Sequence, residues 1–487
     1  MRTRIATLLS LVALAIASDS PALGQSVTGQ RFELPKTRAW TGDFSAMLER
    51  GKLRLLVPSS KTLYFEDRGR QMGVVAEFGR ALEASINARY KSKTLRFHVD
   101  LLPTARDRLL QALNNGFGDA VAANLTITPE RLAVVDFVDP WLKNVKEIIV
   151  TGPSSPKLDT IEDLAGREIR VRDSGVYAGH LAKLSEAFAT KGLKPIAIKP
   201  IDENLEDEDL IEMVNAGLLP YAVVDDHEAT IWTKIFPKAV PRADLVVGEG
   251  GEIAWAVRKD SPELKSELNA FFGKHSALTS FGATIRRRYF VDKRIVKNAL
   301  EENEARKFVA VIDLFRRYGA QYNFDYLMIV AQAYQESELD QSRRGQSGGV
   351  GLMQIKPSTA ASKPIGITGV DRDPDRNVHA GCAYLRYLAD TYVSDAAIDP
   401  MNRTLMSFAA YNVGPRNLQK FRAYTQQAGL DPNIWFNNVE LGAAKIVGLT
   451  PVQYVRNIYK YYIAYKLSIE RLEANRKAHE DVAGPLH

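Results

Sequence analysis

DAVAANLTITPERLAVVDFVDPW, residues 119–141, decides the fold of the first half of the chain. DAVAANLTI reads as a strand, a short apolar run of the length a buried strand needs, and TPERLAVVDFVDPW follows it. Upstream, GKLRLLVPSS (51–60) reads as a strand entering a loop, and MGVVAEFGRALEASINARY (72–90) as an amphipathic helix with apolar positions three to four apart. TLRFHVDLL (94–102) is a second strand and RDRLLQALNNGF (106–117) a second helix. Strand and helix alternate as they do in α/β domains with a mostly parallel sheet.

Downstream, a second block of the same kind begins near residue 150. IEDLAGREIRVRD (161–173) is a helix, turn and strand; AGHLAKLSEAFATKG (178–192) is a helix, and LKPIAIKPI (193–201) a strand. EDLIEMVNAGLLPYAVVDDHEAT (208–230) reads as helix, strand and loop, and GEIAWAVRKD (251–260) as a returning strand. The expectation is two α/β lobes, the second inserted into the first: lobe 1 at about 50–150 and 246–290, lobe 2 at about 151–245. Two connecting strands would leave a cleft that can hinge.

These segments resemble the family 3 periplasmic solute-binding proteins, whose members include amino-acid receptors of transporters. The resemblance rests on GVVAEFGRAL, on 119–141 with its Thr-x-x-Arg, on LAGREIRVRDSGVY and on YAVVDDHEA, and it covers roughly residues 50–290. It implies that Thr126 helps hold a ligand carboxylate, that Arg131 clamps it, and that Asp225 receives an α-ammonium. A guanidinium fork matches a planar carboxylate, and a zwitterion wants the opposite charge at its other end. Asn124 replaces a serine and Val176 a hydroxyl-bearing residue of the amino-acid receptors, which leaves the ligand, an amino acid or a muropeptide, unidentified.

VDKRIVKNALEENEARKF (291–308) is dense in charge and reads as a helical linker. Beyond it the strong segments are helical, so an all-helical domain is expected over about 309–472, with a polar tail at 473–487. LMIVAQAYQESEL carries apolar residues at 327, 330, 331 and 334, one stripe of a helix, and Glu336 stands where that stripe stops. The negative end of a helix dipole and partial burial both raise a carboxyl pKa, as a proton donor near neutral pH requires.

AYQES (333–337), SGGVGLMQIKPSTA (347–360), SFAAYNVGP (407–415) and YVRNIYKYY (454–462) occur in that order. Together they resemble the lytic transglycosylases related to goose-type lysozyme, and a lysozyme-like helical fold is implied. By that resemblance Glu336 is the acid/base, Ser337 orients its carboxyl group, and Met353 and Gln354 line the sugar groove. Tyr411 and Asn412 form the cleft wall, and Tyr454 stands close to the acid. Val413 occupies a position where alanine is commoner.

The implied partner is the peptidoglycan glycan strand, and the implied enzyme a lyase cutting between N-acetylmuramic acid and N-acetylglucosamine to leave 1,6-anhydromuramyl ends. Ordinary glycosidases flank the bond with two carboxylates, whereas only Glu336 fills the acid position here. Attack by the sugar's own C6 hydroxyl needs no second carboxylate to activate water. The alternatives are a lysozyme-type hydrolase and a catalytically inactive amino-acid or muropeptide binder.

No cofactor or metal is called for: the seven histidines form no metal-spaced cluster, and Cys382 is alone. Cys382 lies in an apolar helical pattern and suits a buried packing role. The net charge of +6 in 487 residues does not imply nucleic acid. The acidic run Asp202–Asp209 and the basic Arg286–Arg288 with Lys293 and Arg294 are expected to be solvated faces.

The N-terminus reads as a secretory signal over 1–24: MRTR, then a 13-residue apolar stretch, then small residues before Gln25. Thirteen residues fall short of the roughly 20 that span a bilayer. A polar extension follows over 25–49. The periplasm is the expected compartment, with peripheral attachment to the outer membrane left open.

Overall fold

The computed structural model describes residues 39–275 and 302–483, apart from 61, 68, 69 and 91–95. The signal at 1–24, the basic cluster at 286–294 and most of the linker lie outside the described residues.

Lobe 1 is built on parallel strands. β1 (Lys52–Val57) lies between β4 (His98–Pro103) and β5 (Ala120–Thr126), and the hairpin β2 (Phe65–Asp67) and β3 (Arg70–Met72) stands apart. From Leu53 on, every residue of β1 is buried, as in a parallel strand covered on both faces, and the one charged residue among them, Arg54, is paired with Asp119 at 2.7 Å. The helices α1 (Phe44–Arg50), α2 (Val74–Tyr90), α3 (Leu109–Asn114) and α4 (Pro129–Val134) belong to this lobe. β6 (Asp136–Phe137) leads into β7 (Leu142–Thr151), which carries the chain into lobe 2.

Lobe 2 contains β8 (Glu168–Val171), α5 (Tyr177–Thr190), β9 (Ala197–Pro200), α6 (Asp207–Asn215), β10 (Tyr221–Asp225) and α7 (Asp226–Trp232). The segment after β10, expected as a loop, is the helix α7. β11 (Val240–Val257) returns the chain to lobe 1, where α8 (Pro262–Phe272) follows. The sheet order β10-β7-β11-β5-β1-β4 shows that β7 and β11 run antiparallel through both lobes. β11 is far longer than its apolar end, 253–257, announces. Register shifts through residues 242–253 bend it, and Gly248 leaves room for His180 against Glu147: a Cβ there would lie 2.8 Å from the imidazole.

The rest is helical: Glu302–Tyr322, Tyr326–Ser337, Pro374–Tyr392, Pro400–Val413, Pro415–Gln427, Glu440–Ile446 and a terminal helix, Leu449–Ala483. The first of these begins inside the expected linker. Asp325, Asp373 and Asp399 cap their helices through side-chain oxygens, satisfying backbone N–H groups that have no partner within the helix.

Lobe 2 and the helical domain share one apolar core, in which Leu210, Val214 and Phe236 join Phe436, Tyr459 and Tyr462. The seam is charged as well as apolar. Lys460, 1% exposed, places Nζ 2.7 Å from Glu212 and 3.2 Å from Asp209. Arg456 bonds to Glu440 and to the Asn204 carbonyl, and Tyr459 donates to Asp202 at 2.7 Å. The acidic run is therefore not a solvated face: Glu206, Glu208 and Asp209 are buried, as is Glu212 just beyond it. Their cationic partners come from the terminal helix some 250 residues on and from lobe 1.

Candidate active site and ligand cleft

The helix Tyr326–Ser337 is buried along most of its length and stops where Glu338 and Leu339 both adopt positive φ, 58° and 56°. Glu336 sits in its last turn, half-buried. The terminal helix brings Tyr454 against it, and the phenol donates to Glu336 Oε1 at 2.6 Å. Gln332, one turn before the acid, donates in turn to the Tyr454 oxygen at 3.2 Å. Burial pushes the Glu336 carboxyl up to about 7, and the Tyr454 bond opposes that rise. Burial beside Glu336 holds the Tyr411 and Tyr454 phenols far above their ordinary range, so both remain protonated donors.

The Gly-Leu-Met-Gln segment, residues 351–354, is a turn, tied down by Asn377. Asn377 Oδ1 accepts from the Met353 backbone at 2.8 Å, and its amide donates to the carbonyls of Val350 and Val370. Gly351, at φ 71°, lies so close that a Cβ would stand 2.3 Å from the Asn377 amide nitrogen.

This packing corrects two expectations. Met353 is fully buried against Gly381 and does not line a groove; it contributes its carbonyl, which accepts from Tyr411 at 2.8 Å. Ser337 is buried too, and its hydroxyl bonds to the carbonyls of Ala333 and Leu352, fastening the helix to the turn rather than orienting the carboxyl. Gln354 is half-exposed, with its amide donating to Gly351 and Arg343. Asn412 is exposed beside Tyr411.

Glu336, Tyr411 and Tyr454 thus come together, with the Met353 carbonyl behind Tyr411, while Gln354 is bonded within its own turn. Gln332 and Asn377 went unread, although each is a polar residue inside an apolar helical stripe. Among the described residues Tyr454 alone hydrogen-bonds the Glu336 carboxyl. Asp340 is turned to Ser342, at 2.8 Å from its nitrogen and 2.7 Å from its hydroxyl. Among the described residues no cluster of His, Cys, Asp and Glu could hold a metal ion. Cys382 is buried.

Between the lobes lies a cavity lined by Asn124, Thr126, Arg131, Val176 and Asp225. Arg131 reaches back from α4 to the Thr126 carbonyl at 2.8 Å. Asp225, at the end of β10, is 5% exposed, and among the described residues its Oδ1 has no hydrogen-bond partner. Burial, with Asp207, Glu147 and Glu228 nearby, pushes its carboxyl up to about 7.

The cleft also holds residues that sequence reading missed. Arg106 of lobe 1 grips Glu206 of lobe 2, its Nε donating to both carboxylate oxygens at 3.1 and 2.9 Å and its Nη2 to one of them at 2.6 Å. Arg172 pairs with Asp207, which also accepts from Tyr177 at 2.9 Å. Ser60 and Asn124 of lobe 1 donate to Glu208 and Glu228 of lobe 2, at 2.9 and 2.8 Å.

Residues 60–291 match the family of bacterial extracellular solute-binding proteins, family 3, and residues 313–434 match the transglycosylase SLT domain. The chain is similar to a protein named membrane-bound lytic murein transglycosylase F from Desulfosudis oleivorans, at 27% identity over 87% of this chain and 93% of that one. It is also similar to one of the same name from Ectopseudomonas mendocina, at 26% identity over 85% and 84%. Solved structures similar to it include an ancestral arginine-binding protein bound to arginine, at 24% identity and TM-score 0.38 over 50% of this chain and 99% of that one. An amino-acid transporter substrate-binding protein from Streptococcus pneumoniae, bound to L-arginine, has 18% identity and TM-score 0.40 over 51% and 100%.

Proposed function

We infer that this chain, a family 3 solute-binding domain joined to a transglycosylase SLT domain, is a peptidoglycan lytic transglycosylase. It cuts the bond between N-acetylmuramic acid and N-acetylglucosamine and leaves a 1,6-anhydromuramyl end. The observation that carries this is a single half-buried carboxyl, Glu336, raised to about 7 and bonded by a tyrosine rather than paired with a second carboxylate.

Protonated Glu336 donates to the glycosidic oxygen, and the bond from that oxygen to the muramyl C1 breaks. The muramyl N-acetyl oxygen stabilises the positive charge that develops at C1. Tyr454, donating to the carboxylate just formed, holds it in place. That carboxylate then takes the proton of the C6 hydroxyl as its oxygen bonds to C1, restoring the acid without consuming water. Intramolecular attack supplies the nucleophile at high effective concentration, which removes the need for a second carboxylate. Mass analysis of digested sacculi tests this: the anhydro product is lighter by one water than the reducing end a lysozyme-type hydrolase leaves, and a reducing end would overturn the reading.

The lobe cleft binds a small zwitterion, an amino acid or muropeptide, with its carboxylate at Arg131 and its ammonium at Asp225, and so regulates cleavage. Support comes from α6, whose first turn bears Asp207 in the cleft while Asp209 and Glu212 grip Lys460 of the terminal helix, the helix that carries Tyr454. A ligand alters activity only through different affinities for two arrangements, and lobe closure at this helix offers such a difference.

Among the described residues no helix is long and apolar enough to cross a membrane, while the relatives are named membrane-bound. We place the protein in the periplasm, peripherally associated with the outer membrane.

A further inference from the structure

We propose that the lobe cleft takes a diamino acid, a ligand with one carboxylate and two ammonium groups, and that Glu228 receives the second ammonium. This rests on the reading of the cleft as a zwitterion site and adds a requirement to it.

The charges lining the cavity carry the inference. Arg106 is taken up by Glu206 and Arg172 by Asp207. Glu208 accepts from Ser60, and Asp107 is exposed. Arg131, Asp225 and Glu228 remain, one guanidinium against two carboxylates. Arg131 makes its side-chain bond to a backbone carbonyl and has no carboxylate partner among the described residues. Asp225 and Glu228 are 5% and 6% exposed; among the described residues Asp225 Oδ1 and Glu228 Oε2 are buried with no donor in close hydrogen-bond geometry, the Trp232 side chain being the neighbour of Glu228.

Asn124 occupies the other oxygen of Glu228 and holds the side chain across the cleft. His227 lies 3.7 Å from that same oxygen, but burial lowers its pKa and keeps it neutral. Burial pushes both carboxyls up to about 7, and Arg106 beside Glu228 and His227 beside Asp225 offset only part of that rise. A buried carboxylate oxygen without a donor is costly unless something brings one. One turn of chain separates the two residues, the reach of a single amino acid carrying amines at both ends.

The test is calorimetric titration of the full-length protein with L-lysine, L-norleucine, which lacks only the second amine, and Nα-acetyl-L-lysine, the form the residue takes inside a peptide. Lysine is expected to bind at least tenfold more tightly than either analogue. Glu228→Gln, which keeps the Asn124 bond, should bring lysine down to the norleucine affinity and leave norleucine unchanged. If norleucine binds as well as lysine, the zwitterion reading stands and the second-cation site falls. Equal binding of the acetylated form would mean that two ammonium groups are not required, and overturns the proposal. If none of the three binds, the zwitterion reading fails and this proposal with it.

Discussion

Glu336 sits where its proton is held to about pH 7, so turnover on sacculi should fall as pH rises through that value. Tyr454 favours the ionised form; Tyr454→Phe should therefore move this alkaline limb to higher pH while slowing turnover, and an unshifted limb would argue against the contact. Glu336→Gln should lose roughly 10²–10⁴-fold in turnover, and retention of a tenth of the wild-type rate on purified sacculi would remove Glu336 from its role. The same residue predicts a stability effect that runs in the same direction with pH. A folded pKa above the free value of 4.5 means that the folded chain binds more protons than the unfolded one between 4.5 and about 7, so stability declines across that window. Glu336→Gln escapes this and should gain on the order of 3 kcal/mol over wild type at pH 8 relative to pH 4, read from thermal melts at both pH values. Glu336, Tyr411 and Tyr454 were legible because local motifs name them. The burial of Met353 and Ser337 was not, since the direction of a side chain leaving a turn depends on what packs against it, here Gly381 and the Leu352 carbonyl.

The alternation of strand and helix around 119–141 was enough to foresee two lobes, because period and length are local properties. The acidic run at 202–209 was misread for the converse reason: nothing near it in sequence tells a solvated face from one whose partners are Arg106, Arg456 and Lys460. At α6 that error has a measurable counterpart. Lys460→Ala would take from Glu212 and Asp209 the buried ammonium between them, leaving Arg456 3.6 Å from Asp209, and breaking a buried pair in this way costs about 3–5 kcal/mol. Hydrogen exchange should show α6 and the terminal helix opening together, and unchanged protection would count against the seam. In the 351–354 turn, Gly351→Ala meets both a positive φ and the Asn377 amide. Activity should be lost with the turn, while hydrogen-exchange protection of β1 and β5, in the separate core of lobe 1, stays unchanged.

The two domains share a core and a charged seam, so ligand binding and cleavage need not be separate properties. Asp209→Asn with Glu212→Gln alters the seam without touching cleft or acid. Basal turnover should stay within about threefold, and any response to a cleft ligand should shrink; an undiminished response would place the coupling elsewhere.

The bond between Tyr454 and Glu336 spans 118 residues and bears on when the enzyme becomes dangerous. An unfinished or clipped chain holds the acid but not the phenol that steadies it. Full cutting power should therefore arrive only with the terminal helix, so each molecule is expected to be restrained during its own manufacture, and a protease trimming that helix should restrain it again.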